Sequence, residues 1–140
     1  MLKDGADYAD TAEKHESGES VNCYRLSNEE NDIHIPLGTT TALDECKSVT
    51  AEMSPHFRPG KWTPENINSV GEHLIRITGQ LFYDSSHTPC TPGNRVFPPR
   101  ASVWEIHPVY AIEVCSSTDI NACKSAPDSA WQALDQFAQH

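Results

Sequence analysis

From Ala101 to Val114 the chain alternates without a break. Trp104, Ile106, Pro108, Tyr110, Ile112 and Val114 fall on one side of the repeat, and Val103, Glu105, His107, Val109, Ala111 and Glu113 on the other. A period of two over this length predicts a β-strand with one buried face, and therefore a sheet for it to join. The aromatic side reads as the core face. The other side carries an acid and a histidine two residues apart, Glu105 and His107. The same theme recurs as Asp32 with His34, Glu52 with His56, and Asp84 with His87.

A chain of 140 residues suffices for one domain with one core. Ten prolines and seven glycines predict many turns and few long helices. No apolar run is long enough to cross a bilayer, and the first residues lack the apolar segment of a secretory signal. A net charge of −10 disfavours nucleic acid and anionic membranes as partners. That charge is uneven. Residues 1–45 carry three basic and eleven acidic side chains, whereas 56–100 carry five basic ones against three acidic. Five cysteines point toward an oxidising compartment, periplasmic or secreted. Cys115 and Cys123 flank a polar loop and are candidates for a disulfide; the alternative is buried thiols packing as small apolar groups.

In chain order, residues 1–19 read as an acidic flexible arm or edge strand, 20–115 as a β domain, and 116–140 as a loop and helix packed on it. Strands are expected over 20–26, 31–37, 47–53 and 74–84, followed by the stretch at 101–114. Alternation points Ile33, Ile35, Leu37, Val49, Ala51 and Met53 inward, with Ile75, Ile77, Leu81 and Tyr83. It points Asp32, His34, Glu52 and Gln80 outward. Thr63 followed by Pro64 and Glu65 marks a helix start, and the helix should run to about His73. Gly79 sits where a missing side chain permits a bend or bulge. Residues 85–100 carry four prolines and form a long loop. Asp128 is expected to cap a last helix with Trp131, Leu134 and Phe137 on its apolar stripe.

Five strands with one helix between the third and fourth resemble the OB-fold barrel. The resemblance covers 20–114 and implies a mainly β, five-stranded barrel with a further C-terminal helix. It also implies that strands two, three, five and four lie side by side. His34, Glu52, Glu105, His107 and Gln80 would then share one external surface, with His34 opposite Glu52. The strings Asn31-Asp-Ile-His-Ile35, Asp84-Ser-Ser-His87 and Trp104-Glu-Ile-His-Pro108 also resemble a group of small bacterial proteins, a likeness that assigns no roles.

The favoured function is non-catalytic binding of a small molecule, oligosaccharide, peptide or protein partner. Phe57, Arg58, Lys61 and Trp62 in one loop, with Arg95, Phe97 and Arg100 in another, supply stacking planes and cations beside the acid–histidine face. A second reading is a metal-dependent hydrolase. Asp32, His34, Glu52, His56, Glu105 and His107 are its candidate ligands for a divalent ion such as zinc. Weak single-stranded nucleic-acid binding is a third, and a polar solvated strand face is the purely structural one. Cys90 with His87 as base, and Ser85 or Ser86 beside Asp84 and His87, list nucleophile types without a triad's spacing. Trp104 reads as a core aromatic and Trp62 as a loop anchor.

Overall fold

The computed structural model describes residues 7–8, 32–38, 44–97 and 99–137. The expected strand at 20–26 lies outside them. The elements are β1 (Asp7–Tyr8), β2 (Ile33–Leu37), β3 (Val49–Met53), α1 (Pro64–Asn68), β4 (Ile75–Tyr83), β5 (Trp104–Cys115), α2 (Ile120–Lys124), β6 (Trp131–Ala133) and α3 (Leu134–Phe137). The protein is mainly β. Its strands run β1-β2-β3-β5-β4, with β6 beside the far end of β5. The neighbours β2, β3, β5 and β4 are those the sequence led us to expect. Among the described residues no pairing joins β1 to β4, so the sheet is open.

β2 and β3 are antiparallel, with Ile33 opposite Met53, His34 opposite Glu52 and Ile35 opposite Ala51. β3 and β5 are parallel at Ala51 and Ile106. Paired residues share a face, so Ala51, Met53, Ile33, Ile35 and Ile106 line one side of the sheet, and His34, Glu52, Glu105 and His107 the other. The first set joins Trp62, Ile67, Val70, Ile75, Val109, Ile112, Val114 and Leu134 in a single core. Each fully buried aliphatic side chain contributes roughly 1.5–3 kcal/mol.

The helix start at Thr63 forms as expected: its hydroxyl accepts the Asn66 amide at 3.2 Å, and Pro64 occupies the first turn. α1 ends at Asn68, and a turn carries the chain to β4. The C-terminus differs from expectation. Asp128 opens a short 3-10 turn with Pro127 as its cap, and Trp131 enters β6 opposite Cys115. Arg76 explains that choice. It grips Glu113 through two hydrogen bonds, reaches Asp128 at 3.0 Å and lies 4.8 Å from the Trp131 ring centroid. Trp131 thereby serves β4 and β5 rather than a helical stripe, while Leu134 is fully buried and Phe137 packs on the core.

The unbroken alternation of β5 is where the expectation fails most clearly. Thr78 pairs with Ala111, Gly79 with Val109 and Leu81 with Ile106, so β5 carries two residues more than β4 across this span. Each extra residue reverses the phase. Ile106 faces the core, then Val109, then Ile112 and Val114. Val109, expected outside, is 3% exposed; Tyr110, expected inside, is 60% exposed. Trp104, Leu81 and Tyr83 lie exposed at the end of the β4–β5 ribbon, and Trp62 is the buried tryptophan, reversing the roles expected of Trp62 and Trp104.

Gly79 makes the double bulge possible. A Cβ there would stand 2.4 Å from Ile106 Cγ2 and 2.6 Å from the Pro108 carbonyl oxygen. Gly79→Ala should therefore destabilise the protein by about 1–3 kcal/mol, the usual cost of overpacking a tight site. Chemical denaturation checks this, and an unchanged midpoint would contradict it.

Candidate functional site

The face opposite the core is expected to meet solvent, and it does not. Glu105, Asp32 and Glu52 are 3%, 3% and 7% exposed. His34 and His107 are half-buried beside them, so the five form a cluster of buried acids and partly covered histidines rather than an open external surface. His34 Nε2 lies 3.2 Å from Glu52 Oε2. His107 Nδ1 lies 3.3 Å from Glu105 Oε1 and 3.7 Å from Glu52 Oε2. On its other side, His107 Nε2 is 2.8 Å from Ser54 Oγ, and the Phe82 ring meets the imidazole edge-on at 5.3 Å. The parallel pairing of β3 and β5 creates this: with Ala51 beside Ile106, Glu105 and His107 flank Glu52 on the reverse face.

The loop at 85–100 explains part of the burial. The Cys90 amide donates to the Arg100 carbonyl at 2.9 Å, and a Cys46–Cys90 disulfide pins the loop to the segment before β3. The Ala101 amide donates to the Ser48 carbonyl at 2.9 Å. Arg100 is thereby driven inward, 1% exposed, where one guanidinium nitrogen lies 2.6 Å from Asp84 Oδ2 and 3.3 Å from Glu105 Oε2. Asp84 also accepts the Ser86 amide and hydroxyl and holds His87 Nδ1. A chain of charged contacts thus runs from His87 through Asp84, Arg100 and Glu105 to His107.

Burial pushes the Asp32 carboxyl up to about 8, and its hydrogen bond to Glu52 and that neighbour's charge push the same way. Burial also acts to raise Glu52, but the His34 bond and charge and the Asp32 bond outweigh it and hold Glu52 well below the usual range. At neutral pH the two carboxyls share one proton, with Asp32 donating to Glu52. The other Asp32 oxygen, Oδ1, is buried without a hydrogen-bond partner. The Glu105 bond raises His107, against burial and with help from the Glu52, Glu105 and Asp32 charges.

The structure unites most of the acid–histidine residues read from the sequence and excludes some. His56 is exposed on the turn after β3, apart from Glu52. Gln80 accepts the Tyr110 hydroxyl at 3.1 Å on the exposed ribbon. The expected aromatic–basic surface is divided by the fold. Trp62 is core and Arg100 is buried. Phe57, Lys61 and Phe97 are exposed, Arg58 is half-buried, and Arg95 is exposed while pairing with Asp44 and Glu45. Cys90 is bonded to Cys46 and cannot be a thiol nucleophile, and Cys115 is bonded to Cys123 as anticipated. Ser86 and His87 both contact Asp84 rather than each other in series. Ser54 was not singled out from the sequence; as the first residue past β3 its one signal was its place after Glu52 and Met53. Arg100 was assigned to a surface because nothing in the local sequence reports a disulfide 44 residues long pulling its loop down.

Glu52, Glu105 and His107 each offer a donor atom, all within 4.8 Å of one another, a grouping able to hold a metal ion. No protein-family model, curated protein or solved structure matches the chain.

Asp84 supplies an acid test of the buried network. Burial alone would raise its carboxyl, but the Ser86 hydroxyl and amide and then His87 lower it to about 2. For a depressed carboxyl the stabilisation is complete above its unfolded value of about 3.9 and disappears as pH falls toward 2. The shift corresponds to about 2 kcal/mol. Asp84→Asn should be less stable at pH 7 and lose less stability than wild type between pH 4 and 2. Parallel stability curves in urea titrations would contradict this.

Proposed function

We propose that this protein is a non-catalytic binding domain whose ligand is a divalent cation, held by the acid–histidine cluster on the reverse face of β2, β3 and β5. The observation that carries the reading is the convergence of Glu52, Glu105 and His107 donors within 4.8 Å. Two further facts support it. Asp32 Oδ1 is a buried acceptor with nothing to accept from, beside Glu52. Three buried carboxylates, Glu52, Glu105 and Asp84, with the protonated Asp32 carboxyl beside Glu52, lie on a network whose permanent cation is Arg100. Protonated imidazoles offset part of that charge, but a bound cation would offset it at every pH above their titration.

The strand order β1-β2-β3-β5-β4, the parallel β3–β5 pair and the helix between β3 and β4 support an OB-like architecture, in which the barrel closes between its first and fourth strands. Two disulfides suit an oxidising compartment. No helix among the described residues is long and apolar enough to cross a membrane. A metal-dependent hydrolase is the second reading. Its support is the arrangement of His34, Glu52 and His107, two imidazoles and one carboxylate on one face, a set that leaves positions open on iron-type centres.

Chelator-treated protein should gain thermal stability when a divalent transition ion is restored. A ligand at a hundredfold its dissociation constant stabilises the folded state by about 2.7 kcal/mol, a shift of several degrees. Glu52→Gln should abolish the shift. An unmoved transition in wild type across a divalent-ion series would contradict the proposal.

A further inference from the structure

We infer that the cation is a nitrogen-seeking first-row transition ion of the zinc class rather than calcium or magnesium, and that Ser54 is the residue that presents His107 to it. This inference rests on the cation-binding reading above. Donor spacing is its first support. Tetrahedral ligands at about 2.0–2.2 Å from zinc stand about 3.3–3.6 Å from one another. Within the group Glu105 Oε1 lies 3.3 Å and Glu52 Oε2 3.7 Å from His107 Nδ1, all three donors fall within 4.8 Å of one another, and His34 Nε2 stands outside the group at 3.2 Å from Glu52 Oε2. Calcium asks for some 6–8 oxygens at about 2.3–2.6 Å, and magnesium for a near-octahedral oxygen shell that keeps several waters. A group that sets an imidazole nitrogen beside only two carboxylates, most of it shielded from water, suits neither.

The second support is the other side of the His107 ring. A ring nitrogen that binds a metal must be unprotonated, so Nδ1 can serve only when the neutral ring keeps its proton on Nε2. Ser54 Oγ lies 2.8 Å from Nε2, placed to accept that proton's hydrogen bond. Ser54 is itself held: its carbonyl accepts the Phe57 and Arg58 amides at 3.1 and 3.2 Å in the turn that ends β3. The hydroxyl therefore has a fixed origin, and the ring has a fixed tautomer once Nδ1 meets a cation. Hydrogen-bond partners of this kind typically govern about 10–100-fold in metal affinity. Ser54 acts through His107 and makes no contact with the cation itself. Calcium, which takes oxygen donors, would gain little from it. Thiolate ligands do not compete among the described residues, because Cys46, Cys90, Cys115 and Cys123 are all in disulfides.

The test is isothermal titration of the chelator-treated full chain with zinc chloride and with calcium chloride, for wild type, Ser54→Ala and Ser54→Thr. Nitrogen-15 spectra of the zinc-loaded wild type would report the His107 tautomer. Expected are zinc binding at least 100-fold tighter than calcium, a loss of about 10–100-fold in zinc affinity for Ser54→Ala, recovery in Ser54→Thr, and a proton on Nε2. Calcium binding as tight as zinc overturns the ion class. Zinc binding by Ser54→Ala equal to wild type, or a His107 proton on Nδ1, overturns the role of Ser54 while leaving the cation site standing. Failure of wild type to bind either ion removes the site and this inference together.

Discussion

The parallel contact of β3 with β5 at Ala51 and Ile106 is the constraint on which the rest of the site depends. It brings the two halves of the chain into one sheet, with Ala51, Met53 and Ile106 on the core side. By the same stroke it sets Glu105 and His107 around Glu52 on the reverse side. The antiparallel β2–β3 register then adds His34 directly across from Glu52. Shifting either register by one residue would exchange core and site residues, putting charge in the core and aliphatics among the acids. The apolar core therefore stabilises the geometry of the polar cluster, although the two lie on opposite faces.

What covers that polar face follows a different logic. Arg100 is carried inward by a loop closed through Cys46–Cys90 and by backbone bonds at Cys90 and Ala101. Burying a guanidinium is tolerable because Asp84 and Glu105 share it, and Asp84 is in turn satisfied by Ser86 and His87. Removing one member of such a network typically costs about 3–5 kcal/mol, since the partner is left charged without compensation. The arrangement is thus an expensive way to cover a sheet. On the proposed reading, a ligand of opposite charge gives it a use.

Much of this was legible in the residues themselves, and the limits are instructive. The inward set on β2 and β3 followed from alternation, because those strands are short and regular, except that Val49, expected inward, is 43% exposed at the start of β3. The pairing of His34 with Glu52 followed from reading β2 and β3 as an antiparallel hairpin. Gly79 announced an irregularity. Its consequence was hidden, because a bulge reverses phase on the partner strand, so Val109 and Tyr110 exchanged places with no mark in their own sequence. Burial of the site was hidden for a second reason. Glu105 and His107 look like a solvated face when read along β5 alone, and the side chain that pairs with Glu105, Arg100, comes from a loop held by a bond distant in sequence. His56 shows the converse error: it stands four residues from Glu52, a spacing that means contact in a helix and nothing in a strand that has just ended.

Electrostatics unites these observations in one claim, that the reverse face of the β2–β3–β5 sheet is organised around a position for a cation. The most direct measurement is a crystal structure of the protein grown with zinc, with anomalous differences recorded on both sides of the zinc absorption edge. The account predicts a single strong peak bounded by Glu52 Oε2, Glu105 Oε1 and His107 Nδ1. A map with no peak there, or with zinc bound only at exposed residues such as His56, would contradict it.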